Sequence, residues 1–368
     1  MNVPKLRFSN FSNDYEIKEI ADITYNVSSG KISKQLEDGQ YNVYGSMGII
    51  GKSNFYDYTG EKVLVARVGA NAGSVNKINE NCCISDNTLV LEHKDILNDY
   101  LYYSLTYFNP KKLIFGSGQP LVTGAQIKKI KLSIPKKEEQ LKVADFLSLL
   151  DKKIELQSKK IEDLKLFKKG LLILKFSNKV KNIKLEEIIK NGKAGGTPKS
   201  TVQKYYDGTI PFLSISDISS QNKYINYTEK CISEDGLNNS STWLVPKNSI
   251  ILSMYASYGL PCINKIELAT SQAMYSMIFK DDIDVEFIYY YLYYLQQINY
   301  YDRLVSTGTQ SNLNAEKVNK IKIYCPNYDI QKNISKLFVS CDRKILLEEN
   351  KLLKLQELKK GLMQSMFV

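Results

Sequence analysis

Two stretches of the sequence share one hydrophobic repeat, and they constrain the fold more than any other feature. In the first stretch, residues 135–176, apolar residues recur at alternating steps of four and three: Val143, Leu147, Leu150, Ile154, Ile161, Leu164 and Leu171. This heptad spacing places one apolar stripe along a helix and is typical of coiled coils. Pro135 suits the first helical turn, where its missing N–H is not needed. The stretch therefore predicts a helix of about forty residues, roughly 60 Å long.

The second stretch, residues 326–367, repeats the first without a gap at an offset of 191, the difference between Asp151 and Asp342. The apolar positions recur as Ile334, Phe338, Cys341, Ile345, Leu352, Leu355 and Leu362. The polar breaks in the first stretch, Gln157 and Lys168, recur as Glu348 and Lys359. Matched polar positions fix the register of paired helices. We therefore expect an antiparallel coiled coil, because a globular segment between the stretches lets the chain return.

The segments before the two helices repeat one plan. The first half predicts a strand or short helix at 15–23, strands at 63–68, 88–91 and 130–134, and a helix at 99–105. The second half predicts the counterpart of 15–23 at 181–189, strands at 210–213, 250–254 and 321–325, and a helix at 286–292. Turn residues predict loops at 28–30, 44–53, 69–74, 116–120 and 191–198. The fold class is therefore α+β, a tandem pseudo-two-fold repeat of mixed α/β domains with a two-helix antiparallel coiled coil. The predicted boundaries are 1–135 and 179–326 for the domains and 136–178 and 327–368 for the helices.

Charge and composition favour a polyanionic partner. The 368 residues include 50 lysines and arginines against 39 acids, a net charge of +11, which favours nucleic acid first and a membrane surface second. No apolar run reaches the roughly 18 residues of a membrane helix, and the start has no signal-peptide core. These features predict a cytoplasmic protein without a membrane partner. The single histidine and six cysteines show no zinc-site spacing, so no metal or cofactor is predicted.

Two glycine-rich segments invite a nucleotide-binding interpretation, but neither has the required spacing. In Gly45–Ser53, Ser46 stands where a P-loop needs glycine, and the residues that follow do not predict a helix. We interpret this segment as a turn or binding loop and keep a nucleotide-using enzyme as an alternative. Gly69–Gly73 lacks the dinucleotide spacing and is either a tight turn or a loop whose bare backbone lets DNA approach. The chain has no Pro-Pro for a methyltransferase tetrad and one histidine, which argues against catalysis.

The motifs and their doubling resemble the specificity (S) subunit of type I restriction–modification systems. The resemblance covers nearly the whole chain. Its motifs are Pro4–Phe8, Tyr44–Gly51, Ala66–Gly73, Ile134–Ile154, Gly195–Pro198 and a partial echo of the helix motif at Pro326, Gln331, Phe338, Asp342 and Ile345. Two departures stand out. The first domain has no Gly-Thr-Pro, and Ile330-Gln331 replaces the Glu139-Gln140 of the first helix.

The resemblance implies a non-catalytic protein that recognises double-stranded DNA. Each globular domain would read one half of a split, asymmetric site, and the helices would set the spacer between the halves. The helices would also dock two methyltransferase (M) subunits, and restriction/translocase (R) subunits would join the full complex. The alternative within DNA binding is a stand-alone DNA-binding or scaffold protein without methyltransferase partners.

The charge and the small-residue loops suggest which residues contact DNA. These candidates are Ser46, Lys52, Arg67, Asn71, Ser74, Gln119, Thr197, Lys199, Tyr255, Ser257, Tyr258 and Gln310. Each could instead be a structural or solvent-facing residue.

Overall fold

The computed structural model describes residues 3–31, 38–46, 48–114, 119–255, 257–305 and 313–368. The chain forms two compact units, the first containing Met1–Lys160 and Glu348–Val368 and the second containing Ile161–Leu347. Each unit therefore contains one globular domain and parts of both long helices. Within the described ranges, no helix is long and apolar enough to cross a membrane.

The first unit opens with a globular domain of nine strands and two short helices among its described residues. In chain order these are β1 Glu16–Glu19, β2 Thr24–Ser29, β3 Tyr41–Gly45, β4 Gly48–Ser53, β5 Glu61–Ala66, β6 Val75–Asn79, β7 Cys82–Ile84, β8 Thr88–His93, α1 Asn98–Phe108, a 3-10 helix Pro110–Leu113, α2 Gly124–Lys128 and β9 Lys131–Ile134. The first long helix, α3 Lys137–Phe176, follows at once.

The second domain follows α3. Its elements are β10 Ile183–Lys184, α4 Leu185–Ile188, β11 Ile189–Ala194, a 3-10 helix Gln203–Tyr205, β12 Ile210–Leu213, α5 Ile215–Gln221, β13 Tyr224–Ile225, β14 Lys230–Ile232, α6 Glu234–Asn238, β15 Ile250–Ser253, β16 Pro261–Asn264, β17 Ala269–Thr270, β18 Met274–Phe279, α7 Val285–Gln297, a 3-10 helix Tyr300–Arg303, α8 Ala315–Asn319 and β19 Lys322–Ile323. The second long helix is α9 Tyr328–Met366.

The two domains share one sheet topology. The first has an antiparallel sheet ordered β2-β8-β5-β6, a small sheet β4-β3-β7 and the pair β1-β9. The second has β11-β18-β15-β16, extended by β13, then β14-β12-β17 and β10-β19. In both small sheets the central strand runs antiparallel to one neighbour and parallel to the other. The predicted repeat of a mixed α and β domain is confirmed, and its topology is kept although the sequences differ.

Three predicted loops are partly wrong because some of their residues form strands. Residues 28–29 end β2, and most of 44–53 forms the hairpin of β3 and β4. Residues 191–194 lie in β11 rather than in a loop. β2 and β11 are edge strands whose backbone groups pair with β8 and β18. Pairing with a buried neighbour, rather than the strand's own polar side chains, fixes their conformation, because strand preference depends strongly on context.

The long helices begin and end within two residues of the predicted stretches, and the apolar positions of their seams are buried or half-buried. Val143 and Leu147 in α3 and Phe338 in α9 are at most 3% exposed. In the first unit, Asp151 pairs with Lys359 and Gln157 pairs with Glu348. The residue numbers rise along α3 while they fall along α9, so these segments pack antiparallel.

An aspartate on each long helix joins both helices to the domain of its unit. In the first unit, Tyr103 Oη donates to Asp151 Oδ2 at 2.7 Å, and Lys359 Nζ donates to Asp151 Oδ1. In the second unit, Tyr290 Oη donates to Asp342 Oδ2 at 2.5 Å, and Lys168 Nζ donates to Asp342 Oδ1. The helix residues of these two groups are related by the offset of 191. Tyr103 lies on α1 and Tyr290 lies on α7, the two helices that the sequence predicted as counterparts.

One glutamine near the start of each long helix bonds to the backbone just before the helix that carries the tyrosine named above, α1 in the first unit and α7 in the second. Gln140 Oε1 accepts from the backbone N–H of Leu97 at 2.9 Å, directly before α1. Gln331 Oε1 accepts from the backbone N–H of Asp284 at 2.9 Å, directly before α7. Each long helix is therefore part of the structure of its domain rather than an attached rod.

The replacement of Glu139 by Ile330 in the second repeat has a structural cause. Glu139 is 2% exposed and accepts from both Nε and Nη2 of Arg7 at 2.7 Å and from Tyr15 Oη at 2.8 Å. Burial and the bond to Glu139 raise the pKa of Tyr15. Ile330 is 42% exposed, so the second repeat needs no carboxylate at this position.

Replacing Glu139 with alanine is expected to lower the free energy of unfolding by about 3 kcal/mol, because the half-buried Arg7 and the buried Tyr15 hydroxyl would both lose their carboxylate partner. Thermal or denaturant unfolding of the whole chain measures the effect. Glu138→Ala is the matched control, since Glu138 is exposed one residue earlier on the same helical turn. Equal destabilisation by the two substitutions would contradict a structural role for the Arg7–Glu139 pair.

Candidate nucleic-acid interface

The loop from Arg67 to Ser74 is the hairpin connection between β5 and β6. The Ala66 N–H donates to the Ser74 carbonyl, and the Gly73 N–H donates to the Ala66 carbonyl, both at 2.8 Å. Gly73 has φ +81°, and a Cβ there would lie 2.5 Å from the backbone nitrogen of Lys111. Glycine is therefore required for both the turn and the close packing. The tight-turn interpretation of 69–73 accounts for its glycines without a ligand.

Neighbouring segments lie against this loop and bring several candidate residues together. The backbone carbonyl of Asn87 accepts from the Arg67 N–H at 2.9 Å and from Ser46 Oγ at 3.5 Å. The Gly69 N–H donates to the Pro120 carbonyl at 3.0 Å, next to the exposed Gln119. We call residues 46, 67–74, 86–87 and 119–120 the first loop cluster. It contains the candidates Ser46, Arg67, Asn71, Ser74 and Gln119.

Arg67 has the most suitable side chain for a ligand in the first loop cluster. Its side chain is half-buried, and its guanidinium makes no hydrogen bond or ion pair with any residue in the described part of the chain. A guanidinium carries five fixed N–H donors. Arg67 can therefore bind an external acceptor without breaking an internal contact.

The second domain has the same arrangement around the hairpin of β15 and β16. The Gly259 N–H donates to the Ser253 carbonyl at 2.8 Å, and Gly259 has φ +80°. The Met254 N–H donates to the Ala273 carbonyl at 2.7 Å, as Arg67 does to Asn87. The Leu313 N–H donates to the Met254 carbonyl at 3.0 Å, as Val122 does to Arg67 at 2.8 Å. Met254 therefore occupies in the second domain the backbone position that Arg67 occupies in the first.

The Gly195-Gly196-Thr197-Pro198 segment joins this arrangement through its backbone. The Gly195 N–H donates to the Met274 carbonyl at 3.2 Å, and the Gly196 N–H donates to the Thr270 carbonyl at 2.9 Å. Thr197 Oγ1 donates to Gln272 Oε1 at 2.5 Å on the surface. We call residues 195–199, 254–255, 257–260 and 272–273 the second loop cluster. It contains the candidates Thr197, Lys199, Tyr255, Ser257 and Tyr258.

Gly30 is the counterpart of Gly195 in the first domain, and the sequence motif did not reveal it. The Gly30 N–H donates to the Thr88 carbonyl at 2.9 Å, and the Lys31 N–H donates to the Ile84 carbonyl at 3.0 Å. A Cβ on Gly30 would lie 2.3 Å from the Ile84 carbonyl oxygen, and one on Gly195 would lie 2.0 Å from the Thr270 carbonyl oxygen. At Gly30 and Lys31 the backbone hydrogen bonds match those of Gly195 and Gly196, although the first domain lacks the Gly-Thr-Pro sequence.

Several candidates are engaged in structural contacts or cannot be placed. Lys52 Nζ donates to Asn42 Oδ1 at 2.8 Å. Hydrogen bonds from Asn42 and Tyr44 hold the pKa of the adjacent Glu80 below its usual value. Tyr258 Oη donates to Asp302 Oδ1 at 2.9 Å. In contrast, Lys199 is exposed, and its ammonium makes no hydrogen bond or ion pair with the described residues. Gln310 and residues 116–118 lie outside the described residues.

The segment 45–53 does not form a nucleotide-binding loop. Gly45 and Gly48–Ser53 belong to the paired strands β3 and β4, and the element that follows β4 is another strand, β5. A P-loop needs a strand, a glycine loop and then a helix whose N-terminus holds phosphate. At the outer end of this hairpin, Ile49 is 57% and Ile50 45% exposed.

Sequence reasoning missed Asn87 and Gln272, both exposed within the loop clusters. Each stands one or two residues before the start of β8 or β18, in a polar turn without any periodic signal. The backbone hydrogen bonds of the two domains relate Asn87 to Ala273 and Gln272 to Asp86, so the two residues occupy neighbouring positions rather than the same one.

Comparisons with known proteins agree with this architecture. A family model described as type I restriction modification DNA specificity domain matches residues 12–166 and 177–357. A putative type I specificity subunit of Mycoplasma pneumoniae, S.MpnORF507P, is 24% identical over 87% of this chain and 86% of its own length. The HindI specificity subunit of Haemophilus influenzae is 31% identical over 45% of this chain. Alignments with three relatives, including HindI, span 33–47% of those proteins' lengths.

A solved structure has the same fold. The crystal structure of the type I restriction–modification S subunit from M. genitalium superposes with a TM-score of 0.64. The match covers 100% of this chain and 99% of that chain at 19% sequence identity.

Proposed function

Because this chain belongs to the type I restriction–modification DNA specificity family, we propose that it is the DNA-recognition subunit of a methyltransferase complex. Each domain contacts one half of a split site in double-stranded DNA through its loop cluster. The chain itself carries out no catalysis and needs no cofactor. It recruits two methyltransferase subunits, and restriction/translocase subunits complete the assembly in the cytoplasm.

The observation that carries this proposal is the pair of equivalent loop clusters with different side chains. The same backbone hydrogen bonds hold Arg67 in the first domain and Met254 in the second. Arg67 is half-buried and polar, whereas Met254 is 4% exposed and packs in the core of its domain. A scaffold that is repeated while its loop side chains change suits a protein that reads two unlike sequences. The net charge of +11 supports attraction to the phosphate backbone.

The side chains of the clusters suit the two kinds of DNA contact. An arginine can donate two hydrogen bonds to the major-groove edge of guanine, and glutamine or asparagine can bond adenine. Arg67, Gln119 and Asn87 offer these groups in the first cluster, and Gln272 offers an amide in the second. Lys199 and serine or threonine hydroxyls can position the phosphate backbone.

The proposed methyltransferase contacts rest on the outer faces of the long helices. Several large apolar side chains there face solvent, including Leu149 at 66%, Leu156 at 59%, Leu166 at 69% and Leu346 at 58% exposure. We place the partner contacts on these leucines because burying exposed apolar surface favours association. Because the helices repeat each other, two copies of one partner are expected.

Co-expression with a type I methyltransferase subunit, followed by methylome sequencing, tests the proposal. We expect the three-chain complex to purify intact and to methylate one bipartite sequence. Binding should fall steeply with salt because phosphate contacts release counterions. Equal binding of the mapped site and a scrambled duplex at moderate salt would exclude the recognition role. Specific binding without any methyltransferase association would favour a stand-alone DNA-binding protein.

Replacing Arg67 with alanine is expected to weaken binding to the mapped site by about 1–3 kcal/mol, as for the loss of one good base contact. The discrimination between correct and incorrect bases should weaken in one half-site only. Lys62→Ala is the control, because Lys62 lies on the same strand, β5, at the end away from the loop. Equal losses for all DNA sequences would show that Arg67 contacts phosphate, and no loss would remove it from the interface.

A further inference from the structure

One polar layer of the coiled coil joins Gln157 to Glu348. Gln157 Nε2 donates to Glu348 Oε2 at 2.8 Å and to the Glu348 backbone carbonyl at 2.9 Å. Glu348 is fully buried, and its Oε1 lies 3.1 Å from Lys160 Nζ and 3.3 Å from Lys351 Nζ. The Gln157 amide in the seam and lysines at its edge, Lys160 and Lys351 among them, therefore surround a single buried carboxylate.

The offset of 191 gives this layer a property of its own. Glu348 is the counterpart of Gln157, so each repeat meets its own equivalent position here. Lys351 is likewise the counterpart of Lys160, and both contact the same carboxylate. If two copies of the same repeat met at this layer, the glutamine–glutamate contact would become a glutamine–glutamine or a glutamate–glutamate contact.

The two aspartate–lysine layers lack this property. Asp151 pairs with Lys359, and Lys168 pairs with Asp342. Because Lys168 is the counterpart of Lys359, Asp151 facing Lys168 of a second copy would keep an ion pair of the same type. The same holds for Asp342 facing Lys359. These layers fix the register of the helices but do not distinguish like from unlike repeats.

We infer that the Gln157–Glu348 layer selects the partner of each long helix. It favours pairing of α3 with α9 of the same chain over pairing of α3 with α3, or of α9 with α9, of a second copy. Two chains paired through like helices would contain one Gln157–Gln157 layer and one Glu348–Glu348 layer. The second would bury two carboxylates against each other and replace a charge-assisted bond by repulsion. Specificity of this kind depends on penalising the wrong pair.

The surrounding lysines do not cancel this penalty. A Glu348–Glu348 layer would bring two copies of Lys351 nearby, but Lys351 is 61% exposed and enters from the edge of the seam. Ion pairs of exposed lysines are weak because water screens them. No donor would stand between the two carboxylates, where the Gln157 amide stands now.

A substitution cycle in the whole chain tests the complementarity of the pair. Gln157→Glu places two carboxylates in the layer, and Glu348→Gln places two amides there. The double variant Gln157→Glu, Glu348→Gln restores the pair with its roles exchanged. We expect the unfolding midpoint of Gln157→Glu to fall by roughly 5 °C and the double variant to recover most of that loss. Gln356→Glu, an exposed site on the same segment of α9, controls for added charge.

Partner selection is measured by refolding each variant from denaturant at high protein concentration and weighing the products by light scattering. Wild type and the double variant should refold as monomers. Glu348→Gln should form about tenfold more dimer, the factor that 1.4 kcal/mol represents, because its like and unlike pairings both contain two amides. A double variant as unstable as Gln157→Glu would overturn the inference. An unchanged dimer fraction for Glu348→Gln would overturn it as well.

Discussion

A chain in which residues 179–326 are replaced by a second copy of residues 1–135 is expected to direct methylation to a palindromic site. The two domains share sheet order and loop-cluster hydrogen bonds but differ in side chains, since the half-buried Arg67 of one corresponds to the buried Met254 of the other. Two copies of the first domain on the repeated helices would read the same half-site twice. Methylome sequencing of cells that express the variant with its methyltransferase measures the outcome directly.

The replacement requires one accompanying change. Arg7 of the added copy would meet Ile330, where the first repeat offers Glu139, so the variant should also carry Ile330→Glu. The control is the native chain with Ile330→Glu alone, which should keep the native site. An asymmetric site retained by the replaced chain would show that the half-sites are not assigned to separate domains.

Lengthening the coiled coil by one heptad in both helices is expected to lengthen the spacer between half-sites by about three base pairs. A heptad of seven residues preserves the apolar seam and adds about 10 Å of helix, against about 3.4 Å per base pair. The insertions belong after Lys153 and after Leu352, because both then lie between the Gln157–Glu348 layer and the Asp151–Lys359 layer and leave both layers paired. The bases of each half-site should remain unchanged in the methylome.

An insertion after Lys153 alone serves as the control. It moves Asp151 away from Lys359 while leaving α9 unchanged, so the unfolding midpoint should fall. A changed half-site with an unchanged spacer in the doubly lengthened chain would show that the helices do not set the distance.

The elements that sequence alone predicted are those whose own periodicity encodes them. The seams of α3 and α9 and the burial of residues such as Leu147 and Phe338 follow from heptad spacing. The strands β2 and β11 escaped prediction because pairing with β8 and β18, far away in sequence, decides their conformation.

The candidate interface was only partly predictable for the same reason. Glycines and small residues located the hairpin loops, including those around Arg67 and Tyr255. The equivalence of Arg67 and Met254 depends on long-range backbone hydrogen bonds that no local pattern records. Lys52 looked like a free cation in the sequence, but the cross-strand partner Asn42 holds its ammonium.

The core of the first unit includes residues from the far end of the chain. Met363, Met366 and Phe367 pack in one buried cluster with Tyr100 and other residues of the first domain, and the Phe367 ring contacts the Tyr100 ring at 5.5 Å between centroids. The core of the second unit, by contrast, lies between Leu171 and Val339. During translation, the core of the first domain is therefore complete only when the end of α9 has been synthesised. The core of the second domain is complete earlier, once Val339 has been synthesised. Completion of the two cores then reverses the order of their synthesis.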